Sequence, residues 1–340
     1  MKIDIFKSHM PQNTEEEQKA LADTLKNYTV ISSMRERTPF PASLLRQLPN
    51  LKLLLCTGTQ FETFDMNAAQ EMGITVASAP GQGRTDVPAT PGVPVPTSIK
   101  QGGGHPTTQH AWALILALAR NVASDDAAMK AGLWQTGMTM ALTGKTLGVI
   151  GMGRLGAAVA RIGAMAFGMK VACWSANLDQ AKADQAATNL GLPVETEFGD
   201  KTFTAVSKDE LFKTSDVISL HYVLSERTRG VVDAKALSLM KPNSFLVNTS
   251  RGALIDQDAL LRAARRGQIR GLALDVFEQE PLPADNPWRT EKWGQDGRSH
   301  VVLTPHTGYL EEGLMNRWYA ETAENVERYV AGKEVLHRLV

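Results

Sequence analysis

The sequence predicts an α/β protein built from two doubly wound parallel-sheet domains. Three observations carry that prediction. Short apolar runs of strand length alternate with amphipathic segments along nearly the whole chain. A Pro/Gly-rich stretch, Ala79 to Gly104, separates two such series. The second series opens on a glycine-rich turn between a strand-like and a helix-like segment, Gly151-Met152-Gly153-Arg154-Leu155-Gly156. At 340 residues the chain is long enough for two domains of ~100–200 residues each.

The elements follow in order. Ile3 to Phe6 reads as a strand, and Thr14 to Asn27 as a helix with Thr14 and Glu17 spaced for a capping box. Thr29 to Ser32, Leu51 to Thr57 and Ile74 to Ala77 read as strands, with a short helix from Met66 to Met72 closed by Gly73. Ala79 to Gly104 lacks regular pattern and reads as a linker or lid, leading into an apolar helix from Thr107 to Arg120. In the second series the strands are Thr146 to Ile150, Lys170 to Trp174, Val217 to His221, Ser244 to Asn248, Gly271 to Val276 and Val301 to Leu303. Helices are expected at Leu155 to Phe167, Ala234 to Met240, Gln257 to Arg266 and Leu310 to Ala331. No repeat of solenoid period is visible.

Composition bounds the function. An apolar fraction of 43% builds a core without disulfide or metal staples. Zero formal net charge argues against a nucleic-acid binder with a broad basic face. Cys56 and Cys173 lie in apolar runs and read as small buried hydrophobes, which fits a reducing compartment. MKIDIFKSHM has no apolar signal region, and the longest apolar run, Ala111 to Ala119, falls short of the ~20 residues of a membrane span. The expectation is a cytoplasmic protein with neither membrane nor nucleic acid as partner.

A strand, then GxGxxG, then a helix is the fingerprint of a dinucleotide site. Gly151 permits the tight turn, Gly153 the approach of a pyrophosphate, and Gly156 close helix–strand packing. The N–H groups opening the helix at Arg154 and Leu155 face the phosphates. The next strand ends Cys173-Trp174-Ser175-Ala176-Asn177, with no carboxylate to hold a ribose. Ser175 and Asn177 are neutral partners for the ribose hydroxyls. That ending favours NAD and keeps NADP as an alternative. Asp179 reads as the cap of the following helix.

Three further segments follow late strands: Asn248-Thr249-Ser250-Arg251-Gly252, Asp275 to Pro281 with Glu278 and Glu280, and Thr304-Pro305-His306-Thr307-Gly308. Ligands of open α/β sheets bind outside the carboxyl ends of the strands. An Arg to bind a carboxylate and a His with a carboxylate partner suit the reduction of a keto acid. The remaining histidines, His9, His105, His110, His221, His300 and His337, read as structural, and no metal-ligand set accompanies them.

These segments resemble the D-isomer-specific 2-hydroxyacid dehydrogenase family over nearly the whole chain. The matching pieces, in the family's order, are GKTLGVIGMGRLG, SDVISLHYVLSERTRGVV, LMKPNSFLVNTSRGALID, ALDVFEQEPLP and LTPHTGY. The resemblance implies a Rossmann NAD(P)-binding domain over 107–306 and a flavodoxin-like substrate domain from 1–106 and 307–340. It implies that Arg251 binds the substrate's carboxylate and carbonyl, that His306 protonates the carbonyl oxygen, and that Glu280, directly before Pro281, hydrogen-bonds His306. It places Asp275 at the nicotinamide carboxamide, adds Val223 and Thr249 to the cofactor contacts, and sets Thr107-Thr108 near the nicotinamide. It assigns the backbone of Thr57-Gly58-Thr59-Gln60 to the substrate carboxylate. The implied activity is hydride transfer between NAD(P)H and a small 2-keto or D-2-hydroxy acid. The family's NAD(H)-sensing corepressors supply the alternative function. A homodimer is implied through the cofactor domain, with Ala111 to Ala119 as the surface offered. The long Pro/Gly-rich stretch and Tyr309-Leu310-Glu311-Glu312 depart from the family pattern and leave the particular acid open.

Overall fold

A computed structural model describes every residue except 1, 7–9, 11, 13, 60 and 87–104. The expectations for His9, for Gln60 and for most of the Pro/Gly-rich stretch therefore lie outside the described residues. The chain divides into two compact units, Met1–Val95 with Leu310–Val340, and Pro96–Tyr309. The second boundary falls three residues later than the sequence suggests. Thr307 and Gly308 donate backbone N–H bonds to Asp275, and Tyr309 packs edge-on against His306.

In the first unit, β1 (Val30–Ser33), β2 (Leu53–Thr57) and β3 (Thr75–Ala79) form a parallel sheet in that order. The segment expected as a first strand is no strand. Ile3 and Ile5 are largely exposed, and the segment is tied down by side chains, Asp4 accepting from the Tyr28 hydroxyl and Phe6 packing on the Tyr28 ring. The capping box at Thr14 opens a helix over Glu15–Leu25. A long helix, Glu312–Val330, packs on β2 and β3. Its buried carboxylates, Glu321 and Glu324, collect backbone N–H groups from the chain leaving β3. Gly81 and Gly83 donate to Glu321 at 2.8 and 2.7 Å, together with Gln82, and Thr85 donates to Glu324 at 2.7 Å.

The second unit is a seven-stranded parallel sheet. Its strands are β4 (Thr146–Ile150), β5 (Lys170–Trp174), β6 (Thr204–Ala205), β7 (Val217–Leu220), β8 (Phe245–Asn248), β9 (Gly271–Leu274) and β10 (His300–Leu303). Their order is β10-β9-β8-β7-β4-β5-β6, so the winding reverses between β4 and β7. Successive residues face opposite sides. Val149, Val247 and Ala273 join the core under the helix Pro106–Ala119, and Ile150, Leu246 and Leu274 the core on the other face.

Register sets the site. Leu303, Leu274, Asn248, Leu220, Ile150 and Trp174 are paired neighbours in one row across six strands. One residue beyond that row stand Thr304, Asp275, Thr249, His221, Gly151 and Ser175. The sequence ran β7 and β9 on to His221 and Val276. Both strands instead stop at the row, and beyond β9 Asp275 turns its carbonyl to the His306 N–H. The sequence reading did not place the helices Ala42–Leu45, Val122–Lys130, which buries nothing, Lys208–Thr214 and Pro287–Thr290, whereas Gln180–Asn189 is capped by Asp179 as expected.

Candidate active site

At the reversal point, Gly151 takes φ +95°, a conformation open to glycine at little cost. A Cβ there would lie 2.6 Å from the His221 carbonyl oxygen, and one on Gly156 would lie 1.9 Å from the Gly151 oxygen. Helix, turn and neighbouring strand thus meet backbone to backbone. Gly153 differs, because a Cβ on it meets nothing within 4 Å. It is the N-cap of the helix Arg154–Phe167, and no side chain caps that helix. The opening N–H groups, at Arg154, Leu155 and Gly156, lack intrahelical partners, and the turn is exposed at Gly153 and Arg154, as an anion requires.

Toward β5, the Ser175 hydroxyl accepts the Met152 N–H at 3.2 Å, which ties the fingerprint turn to the end of β5. Tyr222 packs edge-on against Trp174, and its hydroxyl accepts the Ala176 N–H at 3.0 Å. Asn177 is exposed, and its carbonyl takes the Lys182 ammonium. Val223 is exposed beyond β7, and its carbonyl is capped by Thr228. His221 bonds to Ser219 at 2.9 Å, and burial pushes it down to about 4, so its ring is neutral at physiological pH.

Arg251 follows β8 on a loop folded by the buried Asn248. That amide accepts the Ser250 N–H and donates to the Arg251 carbonyl at 2.9 Å. The guanidinium donates to the Ser250 carbonyl at 2.9 Å. Next to it, a Cβ on Gly252 would lie 2.0 Å from the carbonyl carbon of Phe277. Only glycine lets the Arg251 loop pass this close to the segment that carries Glu280. Thr249 is buried, and its hydroxyl has no partner among the described residues. The same holds for Thr108, at the start of Pro106–Ala119.

Glu280 is held by one oxygen and works with the other. Its Oε1 accepts the Phe277 N–H at 2.8 Å, and its Oε2 meets His306 Nδ1 at 2.5 Å. His306 sits at φ +54°, a left-handed conformation that costs a side-chain-bearing residue about 1–2 kcal/mol. Asp275 offsets that cost. Its carbonyl accepts the His306 N–H at 2.7 Å, and its carboxylate accepts the next two N–H groups, Thr307 at 2.9 Å and Gly308 at 3.0 Å. The Thr304 hydroxyl donates at 2.6 Å, and His110 Nε2 lies at 3.2 Å. Burial opposes ionisation of this carboxyl, yet the bonds from His110, Thr304, Thr307 and Gly308 outweigh it and hold it below the usual carboxylate range.

Asp275 is only 1% exposed, and its carboxylate anchors the His306 turn. In the first unit, Thr57 is buried at the end of β2, and the Gly58 N–H is already donated to Ala79 at 2.8 Å. Of the expected carboxylate-binding stretch, Thr59 is exposed. Asn248, Gly252 and Thr304 lay in the segments singled out from the sequence without a role of their own, and His110 was read as structural. Asn248, just after an apolar run, carried a turn signal. His110 carried none, because its partners lie 165 and 194 positions away.

The uncapped helix start, the open face at Gly153 and the two unpartnered hydroxyls fit a dinucleotide. With an Arg loop and a carboxylate-bound His on strand ends of the same sheet, this is the site of a dinucleotide-dependent oxidoreductase. The family model described as D-isomer specific 2-hydroxyacid dehydrogenase, NAD binding domain, matches residues 112–308. The glyoxylate reductase of Aeropyrum pernix is 34% identical over 299 residues, 85% of this chain and 76% of its own. The crystal structure of phosphoglycerate oxidoreductase from Vibrio cholerae aligns at TM-score 0.73 with 32% identity, over 93% of this chain and 88% of that one. D-lactate dehydrogenase from Aquifex aeolicus, solved with NAD and lactic acid, aligns at TM-score 0.64 with 30% identity, over 92% and 85%. The chain belongs to the D-isomer specific 2-hydroxyacid dehydrogenase family, and it is an NAD-dependent oxidoreductase of 2-hydroxy acids and their keto forms. No helix among the described residues is long and apolar enough to cross a membrane.

Proposed function

We propose that the protein reduces a short 2-keto acid of the glyoxylate or hydroxypyruvate kind to the D-2-hydroxy acid. The observation that carries this reading is the His306–Glu280 pair, which follows the two strands next to the one that Arg251 follows. A protein that only sensed NAD(H) would have no use for a proton donor held so closely.

The nicotinamide, when bound, supplies the hydride. Gly151, Gly153, Arg154, Leu155 and Gly156 hold the pyrophosphate. Ser175 and Asn177 face the adenosine ribose, with Val223 and Thr249 completing the cofactor contacts. Arg251 grips the substrate carboxylate through its planar fork and stabilises the charge that grows on the carbonyl oxygen. His306 delivers the proton to that oxygen. Its Nδ1 is committed to Glu280, so Nε2 is the donating atom. Asp275 keeps the His306 backbone in place. In the first unit, the Thr57-Gly58-Thr59 stretch is assigned to the substrate carboxylate, with Thr59 providing the donor. The domain assignment is that Pro96–Tyr309 binds the cofactor and the other unit recognises the acid. The absent carboxylate at Ser175 leaves NADP usable, with NAD preferred. The test is a panel of small keto acids with NADH and NADPH. NADH oxidation with glyoxylate or hydroxypyruvate supports the reading, and no oxidation of either cofactor with any acid rejects it.

The proposed assembly is a cytoplasmic homodimer. Ala111 to Ala119 is not its surface, because that helix is packed into the core. The chain just after it offers a better one: Val122, Met129, Leu133, Trp134 and Met138 are all more than half exposed, Met138 at 87%. Sedimentation of a Trp134→Glu, Met138→Glu double variant is expected to give monomers.

A further inference from the structure

We infer that His110 is a positioning residue for the reaction, acting on His306 through Asp275 and Thr304. The inference rests on the reading of His306 as the proton donor.

The argument begins with a proton count. Thr304 has one hydroxyl proton, and the 2.6 Å contact with Asp275 Oδ1 takes it, since an ionised carboxylate can only accept. His110 Nε2 lies 3.0 Å from the Thr304 hydroxyl and 3.2 Å from the same Asp275 oxygen. Neither atom has a proton to give the ring. Both contacts therefore require the proton to sit on Nε2, with His110 as donor to both. His110 closes a three-membered polar knot at the end of β9 and β10.

The knot bears on His306 because of what else Asp275 holds. The N–H groups of His306, Thr307 and Gly308, three in succession, all end on Asp275. That grip keeps the left-handed turn at His306 closed, while Glu280, five residues on from Asp275, holds the ring. The packing leaves little slack. A Cβ on Gly308 would lie 3.0 Å from Asp275 Oδ2 and 3.3 Å from His110 Cδ2. His110 comes from the helix Pro106–Ala119, whose Ala111, Trp112 and Leu114 are buried in the core beneath the sheet. The donor is therefore anchored to a rigid element rather than to the loop it steadies. Remove it, and Asp275 can rotate with Thr304. The His306 turn then loses its fixed reference, and a displacement of about 1 Å at a reacting group can cost about 100-fold in rate.

The test uses the full chain with His110→Ala, His110→Gln, Thr304→Val and, as a control on the parent reading, His306→Asn. Keto-acid reduction is followed across pH, and NADH binding is measured separately by its fluorescence. For His110→Ala, kcat falls about 10–100-fold, while KM and the NADH dissociation constant stay within about threefold. The midpoint of the kcat/KM pH profile also moves. His110→Gln, whose amide reaches the Nε2 position with an N–H, restores kcat to within about threefold of wild type. Thr304→Val, which keeps the shape and removes the hydroxyl, lowers kcat in the same way should the alanine variant fail to fold. The inference is overturned if His110→Ala turns over like wild type. It is equally overturned if alanine and glutamine variants lose activity together and in step with melting temperature, which is a purely structural role. Full turnover by His306→Asn overturns the parent reading instead, whatever the His110 variants do.

Discussion

The fingerprint turn and the His306 turn lie on the same edge of one sheet and are built in opposite ways. The first is built by omission: Gly151 and Gly156 leave out the atoms that would separate helix from strand. The second is built by insertion, with Asp275, Thr304 and His110 filling the space behind a strained histidine with hydrogen bonds. Omission gives close approach and an open face for an anion. Insertion gives a fixed direction for one ring. The two devices should therefore fail differently when disturbed.

The largest effect is expected at the inserted turn and in rate alone. His306→Asn keeps a residue tolerant of positive φ. It should cut turnover about 10²–10⁴-fold while melting temperature and NADH affinity stay near wild type. A variant that also lost NADH would show that the two turns are not separable. At the omitted turn the order reverses. Gly156→Ala drives a methyl onto the Gly151 carbonyl and should cost about 3 kcal/mol of folding stability, read by denaturant unfolding, with NADH binding lost alongside. Wild-type stability there would break the claim that close packing is what the glycines provide.

His221 sharpens the contrast through pH. Its ring is pushed from 6.5 to about 4 by burial, so between those values the unfolded chain binds a proton that the folded one refuses. The stability it protects is whole above pH 6.5 and is lost as pH falls toward 4, by about 2–3 kcal/mol. Unfolding of wild type and His221→Asn at pH 7 and pH 4.5 should diverge by an amount of that order, and parallel curves would show that burial is not the cause. The smallest effect belongs to Ser175→Asp. A carboxylate at the end of β5 repels a 2′-phosphate and should shift the NADPH-to-NADH ratio of kcat/KM by about tenfold toward NADH.

The two turns also differ in how well they could be read from the sequence. Six consecutive residues spell the fingerprint, and its meaning is local: a strand before, a helix after, glycines between. The His306 turn is assembled from residues 110, 275, 304, 306 and 280, which meet only because β9 and β10 pair in one register. The sequence could place Arg251, Glu280 and His306 at strand ends. It could not show that Asp275 faces inward or that His110 stands behind it. The same limit explains Ile3 to Phe6, whose alternating pattern suits a strand but which has no partner strand among the described residues. It also explains Val122–Lys130, a helix with no buried face to give it a period.

The carboxylates of Glu321 and Glu324 carry one more consequence. By gripping the backbone from Gly81 to Thr85, they anchor the chain as it leaves β3. Loop-closure entropy grows only with the logarithm of length, about 0.6 kcal/mol for each doubling. Past so firm a mooring, insertion and deletion are cheap in free energy. The mooring isolates the β1-β2-β3 sheet from changes of chain length beyond Thr85.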